Sequence, residues 1–390
     1  MSQMKKLLTF RNIVLLLLAL LLGYLLFMFW WVSSAGLETV WRIISYETSS
    51  IEDYNVFPSR PLTAAAVPFY FADGEDESRH PETIVAAGRE QALNTLLPET
   101  DTVAFLVIKD DDILMEQYFQ EYTESAPTLA FSMSKSFLSI LIGAAIDDGL
   151  IESVDQLVTD YVPELAAAGY DEVSIRHLLQ MTSGMDYVEV EGRDTSLHNR
   201  FYYTTRLENE LLRLDLAQEA GQEFSYKSGE NALLGLILSR VLAPTTVTAY
   251  TQERLWEPLG MEHDGAWNLD SEDGLEKTWC CLSATARDYA KLGRLYLQEG
   301  SWNGEQLVPA EWVAQSTAVD TSEGSVWNYQ HQWWLVSETV GDFVAMGHLG
   351  QFVYVNPAEE VVIVRLGTSR GGLEWDEWKD LLATIAEEVE

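Results

Sequence analysis

The chain is short of the residues that build metal sites or covalent scaffolds. Its 390 residues include two cysteines, Cys280 and Cys281, side by side. Neighbouring cysteines seldom bridge each other without strain. No disulfide framework is therefore expected, and no zinc spacing exists. Six histidines (His80, His177, His198, His263, His331 and His348) fall in no HExxH or HxH pattern. No metal site and no cofactor are expected. Positive charge is scarce as well: 24 Lys and Arg stand against 61 Asp and Glu, a formal net charge of −37. Residues 1–35 hold Lys5, Lys6 and Arg11 and no acid, so the −37 becomes −40 for the remainder. Such a body repels nucleic acid and anionic lipid. We read the excess acid as a solubility device rather than as a site for cationic substrates. There is no internal repeat, and no low-complexity tract outside the N-terminal leader.

What remains is an ordinary globular mix, 47% hydrophobic and 22% charged. It is long enough for one large catalytic unit or two interlocked subdomains. An apolar run from Ile13 to Val32 spans 20 residues and follows Lys5, Lys6 and Arg11. A membrane-spanning helix needs about 20 residues. Phe29-Trp30-Trp31 suits an aromatic belt at its far end. A cleaved signal peptide ending at Ser33-Ser34-Ala35 is the competing expectation, although its apolar region would be long. We expect residues 1–35 to be a cytoplasmic stub and anchor. The body would then lie outside the cytoplasm, periplasmic on an inner-membrane tether, or secreted if the leader is cleaved.

Residues 36–80, with Pro58, Pro61, Pro68 and Asp73-Gly74-Glu75-Asp76, read as an extended lead-in. Residues 81–390 read as the catalytic domain. Residues 82–97 look like a helix stopped by Pro98. Val103–Ile108 and Ile113–Phe119, separated by Lys109-Asp110-Asp111-Asp112, form a hairpin signature. An apolar helix runs from Ser134 to Asp147-Asp148-Gly149, with Gly149 as its C′ residue. Residues of about 150–300 are mostly helical. Strand-like runs return at Gln332–Val336, Phe343–Met346, Phe352–Asn356 and Val361–Leu366, and a last helix follows from Glu374. The pattern predicts an α+β fold: an antiparallel sheet assembled from both chain ends, flanked by helices, with an inserted helical subdomain.

Three short elements carry the candidate chemistry. In Phe131-Ser132-Met133-Ser134-Lys135, Ser132 and Lys135 stand at i and i+3, on one helix face. A desolvated lysine can take the proton of a serine hydroxyl and make it a nucleophile. A second SxxK at Ser2–Lys5 shows that the pattern alone is weak. Ser132 differs by lying between a strand hairpin and a buried helix, with its N–H at a helix start. In Phe224-Ser225-Tyr226-Lys227-Ser228, a tyrosine beside a lysine can pass protons. In Gly347-His348-Leu349-Gly350-Gln351, glycines let a ligand approach the backbone.

The order SxxK, YxS, HxG resembles the serine β-lactamase and penicillin-binding superfamily. More narrowly it resembles the class C β-lactamase-related hydrolases, which include carboxylesterases, D-amino-peptidases and 6-aminohexanoate-dimer hydrolase. Ile175-Arg176-His177-Leu178-Leu179-Gln180-Met181-Thr182-Ser183-Gly184-Met185 is similar to that family's "IRHLLxHTSG" run. The segments Gly149–Leu165, Glu257–Met261 and Leu282–Asp288 match others, so the likeness covers roughly residues 80–390. It implies Ser132 as the acylated nucleophile and Lys135 as base or partner of a Tyr226 phenolate. Tyr226 would shuttle the proton. The backbone N–H groups of Ser132 and Gln351 would form the oxyanion hole, with Ser228, His348 and Gly350 facing substrate. Ser228 and His348 replace the asparagine and lysine of true class C β-lactamases. The expected substrate is therefore a small ester, amide or peptide, cleaved through an acyl-enzyme. A β-lactamase or D-alanyl-D-alanine peptidase, and a non-catalytic ligand-binding relative, remain the alternatives. His177 is expected to brace the loop before Ser183-Gly184. Loops 185–210 and 318–331, with Tyr187, Phe201, Tyr202, Tyr203, Trp327 and Tyr329, are expected to shape the pocket. If the leader is an anchor, mass spectrometry of membrane-extracted protein finds residues 1–35 intact; an N-terminus just after Ala35 means cleavage.

Overall fold

The apolar runs at the two ends of the chain pair with each other. A computed structural model describes residues 2–46, 48–74, 81, 83–86, 88–189 and 197–389. Its main sheet has eight strands: β1 (Ala72–Asp73), β2 (Thr102–Lys109), β3 (Asp112–Tyr118), β4 (Tyr329–Gln330), β5 (Trp333–Leu335), β6 (Phe343–Gly347), β7 (Gln351–Asn356) and β8 (Val361–Gly367). Their spatial order is β4-β5-β6-β7-β8-β2-β3-β1. The seam between the chain ends is the antiparallel pair β8–β2, with Val362 opposite Ile108 and Val364 opposite Leu106. The two-residue β1 pairs parallel with β3. Asp110 and Asp111, at φ 54° and 67°, turn β2 into β3. Positive φ at both central residues matches the right-handed twist of the strands, and aspartate tolerates it.

The central strands β2, β7 and β8 are buried at almost every position because both faces of the sheet are covered. On one face, the C-terminal helix Trp375–Glu388 sets Trp378, Leu381, Leu382 and Ile385 against Phe105, Val107, Phe352 and Ile363. Helix Ala286–Leu297 also packs on β7 and β8. Helix α1 (Ser134–Asp147) is buried along nearly its whole length, as its all-round apolar sequence requires. Helix α2 (Ser228–Leu242) is similarly enclosed and contacts α1. The helical middle also supplies two strands, Gly265–Asn268 and Leu282–Ala284. They join Ser59–Leu62 and Thr128–Leu129 in a smaller four-stranded sheet.

The helix expected over 82–97 is corrected. Thr83–Ala86 and Arg89–Ala92 form a hairpin, and only Leu93–Glu99 is helical, with Pro98 in its last turn. The β-branched residues Thr83, Ile84 and Val85 favour the strand, and Gly88 supplies the turn at φ 72°. Parts of the expected segments lie outside the described residues: 1 of the stub, 47 and 75–80 of the lead-in, 82 and 87 of this helix, 190–196 of the loop 185–210, and 390 of the catalytic domain.

The described chain divides into two units. One holds residues up to 48 with 197–205, the other residues 49–189 with 206–389. In the first, helix Leu37–Ser45 packs on helix Leu197–Tyr203, and the Tyr203 hydroxyl donates to the Tyr46 carbonyl at 2.8 Å. Its segment Asn12–Ala35 is long and apolar enough to cross a membrane, and a cleaved leader meets the same description.

Leu382 is fully buried in the core between the sheet and the C-terminal helix. Truncating such a residue to alanine costs about 2–5 kcal/mol. Leu382→Ala is expected to lower the melting temperature by several degrees while leaving catalytic turnover unchanged, as read by thermal unfolding alongside an activity assay.

Candidate active site

Ser132 sits on a single 3-10 turn, Phe131–Met133, immediately before α1. The turn is entered through Phe131 at φ 48°, a left-handed conformation that a bulky residue adopts only when its surroundings enforce it. The enforcement is visible. The Ala130 N–H donates to the Leu282 carbonyl at 2.8 Å, and the Leu282 N–H donates to Ser134 Oγ at 3.2 Å. Lys135 then falls one turn on. Its Nζ lies 2.8 Å from Ser132 Oγ and 3.0 Å from the Trp279 carbonyl. The lysine side chain is 1% exposed. Burial pulls its pKa down to about 8, against the opposing field of Glu189. An amine that titrates near neutrality, at hydrogen-bond distance from a serine hydroxyl, can remove that hydroxyl's proton.

Tyr226 lies in the extended segment before α2. The Lys135 ammonium nitrogen stands 5.0 Å from its ring centroid. Tyr329 meets the ring edge-on at 5.9 Å and Trp334 lies 5.7 Å away. Phe224 contacts both of these rings, at 5.2 and 6.2 Å. The result is an aromatic wall beside the lysine. Ser228, the first residue of α2, donates from its backbone N–H and from its hydroxyl to the two carboxylate oxygens of Glu189, at 2.9 and 2.6 Å. A carboxylate at a helix N-terminus also suits the helix dipole. Nothing in the sequence marks Glu189, because it is brought to Ser228 across 39 residues of chain.

His348, Leu349 and Gly350 form the turn between β6 and β7. Leu349 and Gly350 both have positive φ, 63° and 80°. The His348 ring meets Phe131 edge-on at 5.3 Å, which sets this turn beside the Ser132 turn. Gln351 opens β7, and its side-chain amide donates to the His348 carbonyl at 3.1 Å and the Gly367 carbonyl at 2.7 Å. All three sequence elements thus meet at one place. Of the aromatic residues expected around the pocket, Tyr329 belongs to this wall, whereas Phe201, Tyr202 and Tyr203 fall in the other unit.

The cysteine expectation is corrected. Cys280 and Cys281 are bonded to each other. Their two backbone N–H groups both donate to the Lys277 carbonyl, a tight turn that brings the sulfurs together. Trp279, whose carbonyl accepts from Lys135, lies within this turn, just before the cysteine pair. His177 closes a capping box with Ser174, and its carbonyl accepts from the Thr182 N–H at 2.9 Å, consistent with bracing.

Comparison with known proteins gives concordant matches. The sequence model of the family described as "Beta-lactamase" matches residues 94–387. A 6-aminohexanoate-dimer hydrolase of Paenarthrobacter ureafaciens is 32% identical over 302 residues, 72% of this chain and 76% of the relative. A solved structure from Bacillus anthracis, provisionally described as a 6-aminohexanoate-dimer hydrolase, superposes with a TM-score of 0.77. It is 22% identical and covers 87% of this chain and 93% of its own. A penicillin-binding protein homologue from Caulobacter crescentus superposes with a TM-score of 0.56 at 18% identity, covering 73% and 92%. At these structural identities the likeness is one of fold.

A second buried ionisable group lies close by. Glu230, on α2 four residues after Tyr226, is fully buried and accepts from Ser183 Oγ at 2.7 Å. Burial raises its pKa to about 8. Between about pH 4.5 and 8 the folded chain therefore keeps a proton that the unfolded chain releases, so this group lowers stability as pH rises through that window. Glu230→Gln removes the ionisation. Its melting temperature should fall less steeply than the parent's between pH 5 and pH 8; parallel slopes for the two proteins would contradict the assignment.

Proposed function

Because the chain belongs to the beta-lactamase family of serine hydrolases, we propose that it cleaves a linear amide or small ester through an acyl-enzyme on Ser132. The observation that carries the reading is the buried Lys135 amine, 2.8 Å from Ser132 Oγ. Neutral Lys135 takes the Ser132 proton as Oγ attacks the substrate carbonyl carbon. The oxygen of that carbonyl becomes negative and is met by the backbone N–H groups of Ser132 and Gln351. The C–N or C–O bond breaks, and the leaving amine or alcohol departs with a proton delivered from Lys135 through Tyr226. Water then attacks the ester on Ser132. Tyr226 and Lys135 accept the water proton and return one to Ser132 Oγ, releasing the acid. The position of the Tyr226 ring over the lysine supports its place in this relay.

The 32% identical amide hydrolase favours linear amides as one substrate class. Ser228 and His348, at the positions where β-lactamases of class C carry asparagine and lysine, argue against β-lactams. The segment Asn12–Ala35 serves as a membrane tether in this reading, with Lys5, Lys6 and Arg11 on the cytoplasmic side and the body outside.

Ser132→Ala is expected to abolish both fluorophosphonate labelling and hydrolysis of p-nitrophenyl esters and linear amides; labelling that survives the substitution would sink the nucleophile assignment. Fast nitrocefin turnover would instead favour the β-lactamase alternative. Since Lys135 must be neutral to act, kcat/KM should rise as pH increases through about 8. A profile flat from pH 6 to 9 would show that no group with this pKa limits the reaction.

A further inference from the structure

Arg365 lies on β8 and is fully buried, yet every oxygen it bonds is neutral. Nε donates to Thr102 Oγ1 at 3.1 Å. One terminal nitrogen donates to the carbonyls of Leu349 and Gly350 at 3.0 and 2.6 Å. The other donates to the carbonyls of Thr100 and Ser369 at 2.5 and 2.8 Å. A guanidinium has five N–H donors, and five hydrogen bonds are made. The nearest side of the group is packed against the Trp378 ring, 4.5 Å from its centroid. Burial lowers the pKa to about 9, with Asp101 opposing, so the group stays charged at neutral pH. A buried cation without a bonded carboxylate is expensive. Its acceptors show what it obtains in return.

Two of those acceptors are consecutive carbonyls of the turn that ends at Gln351. The third carbonyl of the turn, from His348, is held by the side chain of Gln351 itself. The same amide is fixed at both ends on Gly367 of β8: its Nε2 donates to the Gly367 carbonyl at 2.7 Å, and its Oε1 accepts from the Gly367 N–H at 3.2 Å. The two strands are shaped to admit the guanidinium. A Cβ on Gly350 or on Gly367 would collide with the terminal nitrogen of Arg365. Leu349 has φ 63°, a left-handed conformation that a leucine holds only when its surroundings constrain it.

We propose that Arg365 is a positioning residue for hydrolysis: by gripping the Leu349 and Gly350 carbonyls it fixes where the next backbone N–H, that of Gln351, is presented to the acyl oxygen. This rests on the oxyanion role proposed above for Gln351. Arginine suits the task better than lysine. Its planar fork reaches several carbonyls at once, and it does not lose its charge near neutral pH.

The test compares three variants of the full chain. Arg365→Lys keeps a buried cation, but its single ammonium cannot span five acceptors. Removing one oxyanion donor costs about 10²–10³ in kcat, and a displaced donor should lose part of that. Arg365→Lys is expected to lower kcat for a p-nitrophenyl ester by roughly 10-fold with KM within about twofold, and Arg365→Met by roughly 100-fold. Leu382→Ala, in the same core but away from the turn, should lose thermal stability without losing kcat. If Arg365→Met does not fold, Arg365→Lys decides. A kcat for Arg365→Lys within about twofold of the parent overturns the proposal, as does an equal loss of kcat in Leu382→Ala. Failure of the underlying reading looks different: labelling would then persist in Ser132→Ala. Labelling lost in Ser132→Ala but unslowed in Arg365→Lys overturns the positioning role alone.

Discussion

The structure turns on keeping one amine out of water. Lys135 is a cation-forming group inside an enclosed helix that carries no other charge before Asp147. Its neighbours answer that cost in kind: the Ser132 hydroxyl, the Trp279 carbonyl and the face of Tyr226. None of these three is a carboxylate at contact distance, which would stabilise the ammonium and oppose the role of base proposed for it. Glu189 acts on the lysine through its field, and its two oxygens accept from Ser228. The left-handed Phe131 aims the serine at the amine, and the hydrogen bonds from Leu282 hold that turn in place.

The site holds a second buried cation, and the contrast is instructive. Lys135 is drawn down to about pKa 8, where it can exchange a proton. Arg365 is also depressed, to about 9, but remains charged at neutral pH. Lysine is a point charge whose protonation responds to burial; arginine is a fixed fork that binds several acceptors together. In our proposal the first moves protons and the second holds backbone. Both use neutral oxygens as partners, so neither role is cancelled by a counter-ion.

Much of the fold was legible because its strands and helices are strongly patterned. The hairpin around Asp110-Asp111, the late apolar runs and the helix from Ser134 appear close to where pattern places them. The segment after residue 82 misled because a few β-branched residues and one glycine decided a hairpin against a broader helical pattern. The cysteine pair misled for a similar reason: a local turn on the Lys277 carbonyl brings the sulfurs together, and nothing in the spacing shows that turn. Glu189 and Arg365 were not legible at all. An acid among 61 acidic residues, or an arginine in a strand, looks ordinary until its partners are known.

The sequence by itself determined the local groupings within the candidate site. Ser132 and Lys135 are neighbours by helical spacing alone, and the glycines around His348 mark a turn wherever the strands lie. These are consequences of local geometry, which extends over a few residues. Tertiary structure alone decided how those elements are tuned. The lysine's burial, the aromatic wall at Tyr226, the carboxylate on Ser228 and the arginine on the Leu349–Gly350 turn each join residues far apart in the chain. Desolvation and hydrogen bonding depend on what stands within a few ångströms, and only folding sets that.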